Sequence, residues 1–518
     1  MPDFGFVGPS YTTPSLYQNA EECINFFPEI DLTKQAGERG VVALYPTPGL
    51  VAAYQLASAP VRGMRALSGG KYLMAVAGIY VYTIDTNGNV VQVGTLSSNS
   101  ASSTPISITD TITSQGLVAY LADGVNRYYW VASSGSFQTL PATDGPWQGA
   151  QVLDSVDGYV IYNQAGTQNW AATDLNSQFS TNAYYGSKNG SPDNLVSIIA
   201  DRRNVFLLGE VTTEVWIDVG NTISGVVSFP FSRIQGSSIQ HGCAAPYSIA
   251  RFAEQFVFVS KDTRGQGIIG AIQGYQFIRL STHPVEQSLI GQVISDAIAY
   301  TYQLEGHEMY VVTFPTANLT WVFDLTTKMW HKWLSLNAAT DTYYRHRSNA
   351  GAYFNGNYYV GDYQNGQIYS LSLTAYTDAG TTIKRLRRAP HLISDYQRQY
   401  FAELQIRFEP GVGLNFIPAN PSLTSVAGLA VTGTAVAGTP IIPAPGANPK
   451  AMLRWSNDGG STYSNEYWTS IGTLGAYKNR AIWRRLGWSR DRIFEVSITD
   501  PVKAVIVAAN LKAEVGEN

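Results

Sequence analysis

The chain has 518 residues, too many for one ordinary hydrophobic core, so two or three folded units are expected. Charged residues are 14% of it, while Gly (48) and Tyr (32) are abundant, a composition that favours strands and tight turns over helices. The net charge of −4 excludes a protein that grips nucleic acid through a surplus of Lys and Arg, so any DNA contact is expected to be weak and transient.

Residues 1–60 read as an irregular N-terminal arm or platform segment. No basic n-region with an apolar h-region opens the chain, and no run approaches the ~18 apolar residues of a membrane span. Within the arm, Glu21 to Phe27 reads as a short helix or strand that ends at Pro28. From 61 to 376, short alternating runs flank Gly-containing turns, starting with Tyr72–Ala77, Ile79–Ile84 and Val90–Leu96. Asn87-Gly88 predicts a type I′ hairpin turn with positive φ at both residues. Asp123-Gly124, Asp157-Gly158, Asn355-Gly356 and Asn365-Gly366 are further turn markers. The groups recur every ~35–55 residues, as four-stranded propeller blades do. Six or seven blades are expected, with stacked sandwiches as the alternative.

Residues 377–449 break this pattern and read as a linker followed by a low-complexity loop, since 411–449 is rich in Gly, Ala, Pro, Val and Thr. The linker carries the densest basic run, Lys384, Arg385, Arg387 and Arg388 around Leu386. It has two readings, a channel-facing patch that touches DNA, or a solvated strand. From 450 to 518 the strand pattern returns and predicts a C-terminal β-sandwich. The fold class is therefore all-β, a propeller with an additional sandwich built from the C-terminal region and the N-terminal segment.

Chemistry is sparse in the sequence. Six scattered histidines make no HExxH or i, i+4 pair, and Cys23 and Cys243 read as reduced core thiols, so no metal or cofactor is expected. Asp85-x-Asn87-x-Asn89 resembles the opening of a calcium loop, but Val90 and Leu96 stand where its Gly and Glu belong, and a hairpin turn explains it better. Ser456-x-Asp458-x-Gly460-x-Thr462-Tyr463 resembles the sialidase Asp-box, a hairpin whose Asp ties the turn backbone while the aromatic packs beneath. It raises an alternative function, a receptor-binding or glycan-degrading tail protein.

Three stretches resemble the tail-nozzle, or packaged-DNA stabilisation, proteins of short-tailed bacteriophages. They are Thr213 to Asp218 with Phe252 to Ser260, then Gly274 to Thr282 with a short helix over Pro284 to Leu289, and, most specific, Asp458 to Ser464 with Lys478 to Gly487, Phe494 to Val496 and Asp500 to Val502. Asn25 to Glu29 and Pro46 to Leu50 fit the family's opening more loosely. The resemblance implies a non-enzymatic virion tail protein made in the host cytoplasm. It implies a homohexameric ring below the portal and adaptor that holds packaged DNA, then conducts it, and carries fibres or tailspikes. Asn25, Phe26, Phe27 and Glu29, and Arg480, Arg484 and Arg485 beside Trp483, are the candidate subunit or adaptor contacts. Arg suits bidentate interface pairs, and equally the stacking of Arg on Trp inside one domain.

Overall fold

The structure, a computed structural model, describes residues 5–31, 33, 42–100, 103–180, 185–220, 229–414 and 445–516. The chain forms two compact units, one of residues 51–328 and 344–371, the other of 1–50, 329–343 and 372–518.

The first unit is a propeller of seven blades. Five are four-stranded antiparallel sheets, running from Val61–Ala66 to Val90–Thr95, from Ser107–Thr113 to Ser136–Thr139, from Leu153–Val156 to Gly186–Ser187, from Leu195–Asp201 to Phe231–Arg233 and from Ala250–Phe252 to Gln276–Arg279. Blade 6 contributes Ile298–Leu304, His307–Phe314 and Leu319–Asp324. Blade 7 is Ser348–Phe354, Asn357–Asp362 and Gln367–Ser372, with Gly49–Gln55 as its outer strand. The strand that precedes blade 1 in sequence thus closes the ring.

The period of two explains why the second strand of each blade is buried along most of its length. In Tyr72–Ala77, Met74 and Val76 enter the core shared with blade 2, while Leu73, Ala75 and Ala77 enter the core shared with blade 7. In Gly116–Ala122 the same split sends Ala119 and Leu121 to blade 1, and Val118, Tyr120 and Ala122 to blade 3. Each blade is therefore a sheet with two apolar faces that only its neighbours can cover.

Around the axis a closed ring of hydrogen bonds joins the inner strands. Ile106 N donates to Arg62 O (3.0 Å) and Leu153 N to Ser107 Oγ (2.9 Å). Ala200 N donates to Asp154 Oδ2 (2.8 Å), Ser197 Oγ to Pro246 O (3.0 Å) and Ala299 N to Tyr247 O (3.0 Å). Tyr300 Oη donates to Ser348 Oγ (2.8 Å), and Asn349 Nδ2 closes the circle on Val61 O (2.8 Å).

The turns refine the expectation. Asp157-Gly158 (φ 45° and 86°) and Asn355-Gly356 (φ 46° and 82°) have the paired positive φ of type I′. At Asn87-Gly88 only Gly88 is positive (φ 83°), because Asp85 Oδ1 accepts both Asn87 N and Asn89 N and fixes a wider loop. The calcium-loop likeness is thus a hairpin turn. The helix His283–Leu289 has Pro in its first turn, where a missing N–H costs nothing.

The second unit is a β-sandwich. One sheet orders Phe26–Ile30, Val42–Pro46, Ile506–Val515, Gln399–Phe408 and Ala481–Arg484. The other includes Ala20–Ile24, Arg385–Arg388, Asp491–Ile498, Lys450–Ser456 and Tyr467–Ser470. Cys23, Phe26, Leu404, Ile406, Leu453 and Phe494 are among the residues of the core between them. The segment read as linker thus supplies two sandwich strands, Arg385–Arg388 and Gln399–Phe408, while residues 415–444 of the low-complexity loop lie outside the described residues. The strand at Phe26 does not stop at Pro28 but runs to Ile30, since an edge strand tolerates the missing donor. Both cysteines are buried free thiols, and burial raises their pKa values to about 12.

Candidate functional site

The basic run lies inside the sandwich. Strand Arg385–Arg388 has neighbours on both sides, Cys23 opposite Arg387 on one and Glu495 opposite Arg388 on the other. Arg387 is fully buried, with Nε on Phe6 O (2.5 Å), Nη1 on Pro9 O (2.7 Å) and Nη2 on Glu21 Oε2 (2.5 Å). Arg388 meets Glu495 through Nε (3.0 Å) and Nη2 (2.8 Å), and Arg454 grips the other carboxylate oxygen through Nε (3.0 Å) and Nη2. Lys384 pairs with Asp341 (2.7 Å). Among the described residues Arg385 donates to Tyr376 O (3.4 Å), and burial pulls its pKa down to about 10. The channel-facing reading of Lys384, Arg385, Arg387 and Arg388 is therefore corrected. Arg387 and Arg388 are held by carboxylates and carbonyls of their own unit, and Arg385 is fully buried, so none of these guanidiniums is offered to phosphates. Burial alone would raise the Glu22 pKa, but Lys332 and Arg388 hold it below the ordinary value.

Three of the four N-terminal contact candidates are also interior. Asn25 takes a left-handed conformation (φ 57°), which a short polar side chain tolerates, and so joins two strands. Its Nδ2 donates to Leu334 O and Lys384 O (2.8 Å each), and its Oδ1 accepts from Leu334 N (2.9 Å). Phe26 and Phe27 are buried, Phe27 stacking on Tyr45 at 5.9 Å, and Glu29 is half-buried. These residues knit the sandwich together, which is why Asn25, Phe26 and Phe27 leave no surface for docking.

The second group divides. Trp483 is buried with Nε1 donating to Tyr467 O (2.7 Å), whereas Arg480, Arg484 and Arg485 are exposed, Arg484 bonding Glu403 at 2.9 Å. Arginines that do stand over aromatic rings in this unit are others, among them Arg492, set against Phe401 (4.5 Å), Trp455 (5.3 Å) and Phe494 (5.5 Å).

The Asp-box is a turn clamp. Asp458 Oδ1 accepts from Ser456 Oγ (2.6 Å) and Thr462 N (2.9 Å), and Oδ2 from Thr462 Oγ1 (2.6 Å). The Ser456 and Thr462 bonds lower its pKa to about 2. Arg388 and Arg454 lie over the Tyr463 ring at 5.1 and 5.3 Å. Every oxygen of the Asp458 carboxylate is used in the turn.

Sequence reasoning missed the propeller axis. Inner strands of all seven blades line a cavity of about 210 Å³. Arg65, paired with Asp110 (3.1 Å), and Arg251 with Asp154 (2.6 Å) stand on its walls, together with the buried Arg62. No motif marks these residues, because they are spread over the inner strands of four different blades. Only the recurrence of charge on successive inner strands signals them. Among the described residues no His, Cys, Asp or Glu cluster could hold a metal, and no helix is long and apolar enough to cross a membrane.

A seven-bladed propeller with a sandwich woven from both chain ends defines an all-β, propeller-plus-sandwich protein. The family comparison identifies which. Residues 24–376 match the model described as Bacteriophage P22 Gp10, beta-propeller, and residues 424–514 match Bacteriophage P22 Gp10, beta-sandwich. The chain belongs to this family and is a structural protein of the phage virion tail. No curated protein matches it. Among solved structures, the N-terminal domain of Nup159 is similar at 10% identity and a TM-score of 0.39, covering 68% of this chain and 99% of that one. A chain from a S. cerevisiae assembly of Dbp5 with Nup159, Gle1, IP6 and ADP is similar at 11% identity and a TM-score of 0.35, covering 68% and 99%.

Proposed function

We propose that this tail protein is the nozzle subunit, a homohexameric ring below the portal and adaptor that closes the channel on packaged DNA and then conducts it. The observation that carries the reading is the family match over both the propeller and the sandwich. Burial of the basic run supports it. Each phosphate neutralised by a surface cation adds to binding that a moving duplex must break, so a conduit works best with few free cations. The exposed Arg480, Arg484 and Arg485 meet carboxylates of the neighbouring subunit, and fibres or tailspikes attach to the outside of the ring. No turnover of substrate is involved.

Particles assembled without this chain, then supplied with the purified protein, test the reading. Retention of packaged DNA should be lost in the first case and restored in the second. Particles that keep their DNA without the chain would contradict it.

A further inference from the structure

We infer that one mouth of the propeller axis binds neutral pyranose rings of a glycan, packed on Tyr353. This rests on the propeller alone and stands whether or not the nozzle reading holds.

The axial cavity adjoins a wider one of about 600 Å³, and Arg65, Arg251 and Tyr300 stand on the walls of both. That volume lies within the ~300–1,000 Å³ of ordinary ligand pockets. The wall carries groups that solvent reaches. Tyr353 is 55% exposed, and Gln303 is exposed as well. The side chains of Arg65 and Arg251 are 33% and 51% exposed.

The same groups are held in place. Tyr353 and Tyr358 stand directly opposite each other on neighbouring strands of blade 7, with ring centroids 4.8 Å apart. Tyr358 packs against the buried Tyr302 of blade 6 (6.3 Å), and its hydroxyl is bonded to the Gln303 backbone. Tyr353 is thus a supported ring that still meets water. Arg251 Nη2 donates to Asp154 Oδ2 (2.6 Å) and Ala200 O (2.9 Å), and Arg65 Nε donates to Asp110 Oδ1 (3.1 Å). Among the described residues, the other guanidinium nitrogens of both have no acceptor. Glu308 Oε1 accepts from Ala253 N (2.7 Å), which leaves Oε2 open.

This combination selects a ligand class. An apolar ligand would strip water from the charged groups and return no hydrogen bonds. An anionic ligand, whether a phosphodiester or an acidic sugar, would meet surplus negative charge, because Asp110 and Asp154 already match the two guanidinium groups and Glu308 adds a third carboxylate. A neutral pyranose satisfies both demands. Its C–H face, partly positive, packs on the negative face of an aromatic ring, which Tyr353 offers. Its hydroxyls both donate and accept. Arg65 and Arg251 supply fixed donors, Glu308 an acceptor and the Gln303 amide one of each.

The test uses the full chain and saturation-transfer NMR, which detects weak ligands, with the methyl glycosides of glucose, galactose and mannose as probes. Transfer to the ring protons of at least one glycoside is expected. It should be lost in Tyr353→Ala and kept in Tyr353→Phe, since the packing uses the ring and not the hydroxyl. Tyr353 is exposed, so both variants should fold as the native chain does. No transfer to any of the glycosides, or equal transfer in a folded Tyr353→Ala protein, overturns the inference. A short oligothymidylate serves as the anionic probe, and transfer to it in place of the glycosides also overturns the inference.

Discussion

Changing Glu495 to Gln should loosen the sandwich at its centre. Glu495 is fully buried and bonded by two guanidinium groups, Arg388 on one oxygen and Arg454 on the other. Gln keeps the shape but removes the charge and puts donors against donors. Arg388 and Arg454 are then left as like charges around a buried amide. Removing one partner of a buried pair costs ~3–5 kcal/mol. The two guanidinium side chains are 19% and 32% exposed, so water relieves part of this and the lower end applies. A loss of ~3 kcal/mol is a factor of about 100 in local opening, which hydrogen exchange reads directly. Peptides covering Lys450–Ser456 and Asp491–Ile498 should exchange about 100-fold faster, while peptides of the blade strand Tyr72–Ala77 should not change. Replacing Glu495 by Leu together with both Arg by Met should restore most of the protection, because an apolar set of similar volume avoids the desolvation penalty. Protection in Glu495→Gln equal to the native chain would refute the idea that this carboxylate holds the sheet.

Gly366→Ala should open the closure of the propeller, because a Cβ there would stand 1.7 Å from Ala57 O where Gly366 O accepts from Leu56 N; a cost of at least ~2 kcal/mol should appear as faster exchange in Gly49–Gln55 and Gln367–Ser372. The Asp458 pKa is lowered to about 2, so its stabilising share is complete above an unfolded value of ~3.9 and fades as pH falls to 2. Asp458→Asn should remove that part of the acid slope, and identical slopes in denaturant titrations at pH 4 and 2 would count against the clamp. His346 is buried, and burial, with Arg347 second, lowers its pKa to about 3. Its contribution is therefore complete above an unfolded value of ~6.5 and is lost as pH falls toward 3. His346→Gln should flatten stability against pH in this window, as measured by chemical denaturation at several pH values.

The propeller was legible because its cause is local. Alternation in Tyr72–Ala77, turns such as Asp157-Gly158 and the recurring groups all follow from strand geometry and the two-sided covering of each blade. The Asp-box could be read for the same reason, since Ser456, Asp458 and Thr462 contact one another within a few residues. Charge could not be read this way. Lys384 to Arg388 look like an exposed patch until the partners are known, and those partners are Asp341, Glu21 and Glu495, remote in sequence. Asn25 is similar, since nothing near it announces that its amide will join Leu334 and Lys384. The axial residues were hidden for another reason. Arg62, Asp110, Asp154 and Arg251 share a cavity wall or an ion pair only after seven blades close into a ring.

The central claim is most directly tested by electron microscopy of purified phage particles that carry a label on this chain. Label on a six-fold ring at the distal end of the tail, below the adaptor, is the expected result. Label absent from tails, or a ring of another symmetry elsewhere in the particle, would contradict it.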